Sequence, residues 1–365
     1  MENQVQQLIA LTQIKGIGSV KAKAIIQTYG SVHDFFSLCR SQSSDIPVTL
    51  KQLCNYKNIE FGLRWAEKQM IYAQKNNCEI VTYFDSKYPY RLKHFDDSPL
   101  VLYTKGQMNL NADRMIGIVG TRKMTTYGKF NIEKFVQDLK GLNIVIISGL
   151  AYGVDTMAHR SALENGISTI AVMGTGLDLI YPNINRSIAQ KMQKNGGLIT
   201  ELGIDTLPES YHFPARNRII AALSDALLIV ESKTRGGAMI TANLGFGYHK
   251  DIFAFPGRSN DIYSSGPNKL IKEHKAQLIM GAQDLLKAMS WDKIQRNSLV
   301  QTSLFHEFTT LEKIILESYT KNQAFHIEEI LADLPYSNGE IATALLQLEL
   351  KGIVKTLPGS RYLIV

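Results

Sequence analysis

The stretch Ala226-Leu227-Leu228-Ile229-Val230-Glu231, followed by Gly236-Gly237-Ala238-Met239-Ile240-Thr241-Ala242, reads as a buried strand that meets a glycine turn and a helix start. Such a junction leaves free backbone N–H groups beside the positive end of a helix dipole, which suits a phosphate. Just before it, Phe213-Pro214-Ala215-Arg216-Asn217-Arg218-Ile219-Ile220 brings two arginines to the same strand. The unit predicts a parallel α/β sheet with an anionic ligand at its edge.

Working outward, further short apolar runs occur at Met115 to Val119, Ile144 to Ser148, Thr169 to Met173, Leu198 to Thr200, Ile252 to Phe255 and Gln277 to Ile279. They are continuous rather than alternating, as strands covered on both faces must be. Between the first two, Ile132, Phe135, Val136 and Leu139 recur at helical spacing and Gly141 stops the helix. Alternation of this kind predicts a doubly wound parallel sheet.

Strands of a parallel sheet carry their ligands at the carboxyl edge. Several of these strands run into small or polar residues there: Gly120-Thr121-Arg122, Ser148-Gly149-Leu150, Gly174-Thr175-Gly176 and Pro256-Gly257-Arg258. Arg122, Arg186, Arg216, Arg218 and Arg258 all lie in or near such loops. The turn Gly120 to Thr125 adds amides, hydroxyls and Lys123, a set able to hold a phosphate or follow several along a strand. Tyr181, Tyr211, Phe213 and Tyr248 lie in the same group of loops.

Ahead of the sheet, Leu11 to Ile26 reads as helix, Gly16-Ile17-Gly18 turn, helix, which resembles a helix-hairpin-helix unit with Lys15, Lys21 and Lys23 as added charge. A small helical bundle with a glycine turn is the alternative. After Met289 the composition turns polar, and we expect a linker at 291–304. Helices at Leu311 to Tyr319, His326 to Leu334 and Ser337 to Lys351, then a hairpin from Ile353 to Val365, predict a winged helix. Its third helix carries Glu340 and Glu349 against a single Lys351, so protein contact or packing is the expected role rather than duplex binding.

The chain has 365 residues, is 45% hydrophobic and carries a formal charge of +7. That favours a polyanionic partner, as a weak vote. The three cysteines, Cys39, Cys54 and Cys78, have no metal-ligand spacing, so we expect neither a disulfide framework nor a metal site, and a reducing cytoplasm. The start lacks the pattern of a signal peptide and no run has the length of a membrane span. A P-loop is missing, and Gly174-Thr175-Gly176-Leu177 lacks the third glycine of a dinucleotide fingerprint, so no nucleotide cofactor is expected. Asp155 and His159 fall four apart on a helix, and we expect them to shape loops rather than to do chemistry.

Taken in order, these motifs resemble the DNA processing protein A family (DprA/Smf) over nearly the whole chain. Tyr88-Pro89-Tyr90-Arg91-Leu92 with Pro99 to Tyr103 is similar to its leading segment, Val119 to Arg122 to its G-[ST]-R turn, and Ser148 to Asp155 with Ala158-His159 to its second loop. Gly174 to Asp178 with Tyr181-Pro182 and Asn185, Phe213 to Ile220, and Phe253 to Gly257 complete the set. Thr121 stands for the commoner serine, Met124-Thr125 for a small residue and serine, Gly236-Gly237 for Ser-Gly and Lys250 for arginine.

The resemblance implies an extended Rossmann-like domain at 76–290 with a helical, helix-hairpin-helix or SAM-like domain at 1–75 and a winged helix at 305–365. It implies a non-enzymatic mediator that binds single-stranded DNA, protects incoming DNA during natural transformation and loads the RecA recombinase. A homodimer is implied too, with single-strand-binding protein as a further partner. Arg122 and Arg186 take the family's DNA-binding positions. Around them we expect contacts from Gly120, Thr121, Lys123, Thr125, Ser148, Gly149, Gly174, Gly176, Asn185, Phe213, Arg216, Asn217, Arg218 and Gly237, with Lys15, Gly16, Gly18 and Lys21 as accessory contacts. The competing expectation is a nucleotide-binding hydrolase of related fold using Glu201 or Glu231.

Overall fold

The computed structural model describes residues 4–292, 308–319, 324–350, 353–357 and 361–364. Its contacts divide the chain into two compact units, Met1–Asp292 and Lys293–Val365. From residue 293 the expected linker lies outside the described residues, as do Lys351, Gly352, the hairpin turn at 358–360 and Val365.

In the larger unit, β3 (Met115–Val119), β4 (Val145–Ser148), β5 (Ser168–Val172), β6 (Gly196–Thr200), β7 (Ala226–Ile229), β8 (Asp251–Ala254) and β9 (Gln277–Leu278) form the parallel part of a nine-stranded sheet. β3, β4, β6 and β7 are buried along their full length, which is why their sequences do not alternate. The order β6-β5-β4-β3-β7-β8-β9 places the first parallel strand in the middle, so the chain winds one way through β4 to β6 and the other way through β7 to β9. The crevice between β3 and β7 is therefore the switch point, where the loops diverge.

Two antiparallel edge strands, β1 (Glu79–Thr82) and β2 (Val101–Gln107), extend the sheet beyond β6. Arg91 anchors the segment between them: its Nε and Nη2 meet Asp225 Oδ1 and Oδ2 at 2.7 and 2.8 Å, while Asp225 Oδ2 also accepts from Met115 N. The Arg91 side chain is only 4% exposed and that of Asp225 24%, so this is a partly desolvated bidentate pair at the start of both central strands.

Five helices precede the sheet: α1 (Gln4–Gln13), α2 (Ser19–Tyr29), α3 (Val32–Arg40), α4 (Val48–Leu53) and α5 (Tyr56–Lys75). Their apolar faces share one core with the sheet edge, in which Leu11, Phe35 and Phe36 join Leu100, Val101 and Leu198. Polar ties reinforce the junction. Gln69 Oε1 accepts from Ile204 N at 2.7 Å, and Lys23 Nζ donates to Ser98 Oγ and to Asp96 O.

The smaller unit holds helices at Thr310–Ser318, Ile327–Asp333 and Asn338–Leu350 with a three-stranded sheet in which β12 (Arg361–Ile364) lies between β10 (Ala324–His326) and β11 (Val354–Leu357). This is the winged-helix order, with one additional strand, β10, paired to β12. Ser337 and Glu340 bond reciprocally at the start of the third helix: Glu340 N donates to Ser337 Oγ, and Ser337 N to Glu340 Oε2. Glu340 therefore serves as a capping residue.

Candidate nucleic-acid interface

The loops after β3 and β7 enclose an open hollow of about 650 Å³ at the switch point. On the β3 side lie Gly120, Thr121, Arg122 and Lys123; on the β7 side Ser232, Lys233, Gly236 and Gly237. A third wall comes from α10 (His212–Leu223), through Phe213, Arg216 and Asn217. Arg122, Lys123 and Lys233 are exposed and have no ion-pair partner among the described residues. Three cations thus face a cavity with no carboxylate neutralising them. The Arg122 guanidinium lies 5.3 Å from the Phe213 ring centre, and the Tyr181 ring is 5.7 Å from Phe213. Charge and aromatic faces coincide, the combination that holds a flexible, base-bearing polyanion.

Arg216 lines the hollow yet is only 5% exposed. Its Nη1 donates to Gly149 O at 2.6 Å and to Val172 O, tying the ends of β4 and β5 to α10. Burial pulls its pKa down to about 10, with Asp155 opposing and Arg122 adding to the shift. Asp155, 7% exposed, accepts from Ala151 N; burial pushes its carboxyl up, and Arg216 works against that. The one acid of this hollow is thereby engaged by the protein. Gly153 opens α8 (Val154–Glu164) with φ +75°, and a Cβ there would lie 2.3 Å from Thr121 O, so the loops after β3 and β4 close against each other.

Other expected contacts are placed differently, because their polar groups serve the fold. Ser148 Oγ donates to Ile118 O at 2.6 Å and is fully buried. Asn185 is 2% exposed and donates to Leu150 O and Thr156 Oγ1. Gly149 packs on the Arg216 guanidinium, Gly174 on the Phe213 ring, and Gly176 on the Gly203 carbonyl. Arg218 is drawn to Glu201, with Asp97 at 4.0 Å, away from the hollow. Arg186, exposed at the start of α9 (Arg186–Met192), lines a separate hollow of about 440 Å³ with Lys105, Asp178 and Tyr72. In the N-terminal turn, Lys15, Gly16 and Gly18 are exposed, and Lys21 Nζ donates to Gly16 O at 2.9 Å.

Thr125 caps α7 (Thr126–Asp138): its Oγ1 accepts from Gly128 N, and its N donates to Glu231 Oε2 at 2.9 Å. Glu231, 2% exposed, also accepts from Thr125 Oγ1, and so acts as a helix-start clamp. Glu201, its side chain 20% exposed, pairs with Arg218, and desolvation raises its pKa. Neither carboxylate lines the first hollow. His159 is fully buried with Nδ1 2.7 Å from Thr169 Oγ1; burial first, then Arg216, lowers its pKa to about 3. Among the described residues no group of three or more His, Cys, Asp or Glu could hold a metal ion, and no helix is long and apolar enough to cross a membrane.

Sequence reasoning missed Lys233 and Tyr263 as lining residues. The first had a signal, since Ser232-Lys233-Thr234-Arg235 is a basic loop after a buried strand; Tyr263 had none, because a long loop carries it back to the crevice.

Fold and site together define an extended Rossmann-like protein with a cationic, aromatic-lined hollow at its switch point. The chain belongs to the DNA recombination-mediator protein A family, whose model matches residues 79–290; a DprA winged helix domain matches residues 311–360. Protein Smf of Synechocystis is 31% identical across 97% of both chains. DNA processing protein DprA of Streptococcus pneumoniae is 40% identical over 55% of this chain and 71% of its own. The crystal structure of that S. pneumoniae protein superposes with a TM-score of 0.65 at 30% identity, covering 79% of this chain and 98% of the other. A Helicobacter pylori DNA processing protein A structure, described for its single-stranded DNA binding mode, gives 0.53 at 32% identity over 59% of this chain and 97% of its own.

Proposed function

We propose that this protein grips single-stranded DNA in the hollow between the β3 and β7 loops and acts as a non-enzymatic recombination mediator, protecting incoming strands and passing them to the RecA recombinase. The observation that carries the reading is the set of unneutralised Arg122, Lys123 and Lys233 around the Phe213 and Tyr181 rings. Phosphate neutralisation supplies affinity and ring faces accept any base, so sequence preference is weak. A duplex keeps its bases stacked inside, out of reach of those rings. The H. pylori relative's single-stranded DNA binding supports the same ligand class. Homodimerisation, contact with single-strand-binding protein and a cytoplasmic location complete the proposal by family likeness.

The test is a fluorescence-anisotropy titration of labelled single- and double-stranded oligonucleotides over a salt series. Tight, salt-sensitive binding of single strands that Arg122→Ala weakens is the expected result. Equal affinity for duplex, or indifference to Arg122, overturns the reading.

A further inference from the structure

A second, larger hollow of about 930 Å³ adjoins the first, with Tyr263 lining both. We infer that a strand held in the first hollow continues past Tyr263 into this one, where the rings of Tyr127 and Tyr263 take a flanking base and Arg258 its phosphate. The inference rests on the single-strand reading above.

Tyr127 is 46% exposed, yet its hydroxyl is fixed by donation to Pro256 O at 2.7 Å. The ring is therefore held in place before any ligand arrives, which reduces the ordering cost of stacking. At the junction, Lys233 Nζ lies 5.7 Å from the Tyr263 ring centre, so cation and aromatic face mark the passage between the hollows. Arg258 is exposed and has no ion-pair partner among the described residues. Two acids line this hollow. Glu231 is consumed by the start of α7, which leaves exposed Asp261 as the opposing charge. A rigid aromatic platform with a free guanidinium, continuous with a cationic hollow, repeats the chemistry of the first site one step along the chain of loops.

Oligothymidylates of increasing length, titrated by anisotropy against the full-length protein, test this. Wild type tightens as the strand outgrows the first hollow. The Tyr127→Ala/Arg258→Ala variant matches it on the shortest strand, falls behind by about tenfold on longer ones and loses about 0.7 of salt slope there, the share of one phosphate. Tyr127→Phe with Arg258→Lys recovers most of the gain, because ring and charge return. Parallel behaviour of variant and wild type at every length overturns the inference, as does a length gain abolished by Arg186→Ala instead. If Arg122→Ala is silent while the double variant still weakens binding, the second hollow stands and the first reading falls. If neither substitution has an effect, both fall.

Discussion

The guanidinium of Arg216 fills the space that a side chain at Gly149 would need: a Cβ built on Gly149 would lie 2.2 Å from Arg216 Nη1. The glycine after β4 thus admits an arginine from α10, and the arginine in turn fixes the floor of the first hollow. Arg216→Met leaves the carbonyls of Gly149 and Val172 without this donor and Asp155 without its opposing charge. We expect a loss of about 2–3 kcal/mol in denaturant unfolding, the order for leaving buried carbonyls without their charged donor. Gly149→Ala should lower the midpoint as well, through overpacking. Midpoints unchanged from wild type would show that the floor is held by other contacts.

Arg122 is exposed, so its removal should leave stability intact and change binding alone. For Arg122→Ala the slope of log affinity against log salt should become shallower by about 0.7, the share of one phosphate on a single strand, with weakening similar across sequences. An unaltered slope would mean that Arg122 meets no phosphate.

Arg91 and Asp225 join the segment after β1 to the starts of β3 and β7, 134 positions apart in the chain. Arg91→Ala removes two charge-assisted bonds from Asp225, which stays 24% exposed and keeps the Met115 N–H, and we expect about 1.5–3 kcal/mol of lost stability in urea, with unchanged affinity per folded molecule. A loss under about 1 kcal/mol would place this pair with ordinary surface bridges.

His159 sets a pH dependence of stability. Its folded pKa of about 3 lies below the ordinary 6.5, so the unfolded chain binds the extra proton. Its contribution is present above 6.5 and is lost as pH falls toward 3, at about 1.4 kcal/mol per pH unit between the two. Asp155 and Glu201, both raised, act oppositely: their contribution is present below the ordinary carboxylate range and fades as pH rises through their folded values. Comparing wild type with His159→Gln by urea melts from pH 7 to 5 isolates the histidine; identical slopes would exclude it.

On the winged helix, the exposed face of Asn338–Leu350 carries Leu346, Leu350 and Glu349 but no basic residue. Leu346→Glu should therefore leave single-strand and duplex affinity within about twofold of wild type, since no phosphate contact is lost. A marked fall in DNA binding would place this helix on the nucleic acid.

The sequence alone determined the parallel strands, their carboxyl-edge loops and the winged-helix order, because strands covered on both faces must be continuously apolar and glycine turns punctuate them. β1 and β2 were not legible as strands: β2 ends in Thr104-Lys105-Gly106-Gln107, a polar run that pairs only because β6 lies beside it. The arginines were legible as residues but not by role. Arg122 faces the hollow, Arg216 supports it from beneath, Arg218 turns to Glu201, and Arg186 opens on another hollow. A guanidinium goes where unsatisfied carbonyls or carboxylates are buried, and those acceptors lie 17 to 67 positions away from Arg218 and Arg216. Only the tertiary structure brings donor and acceptor together, so only it decides which charges remain free for a ligand.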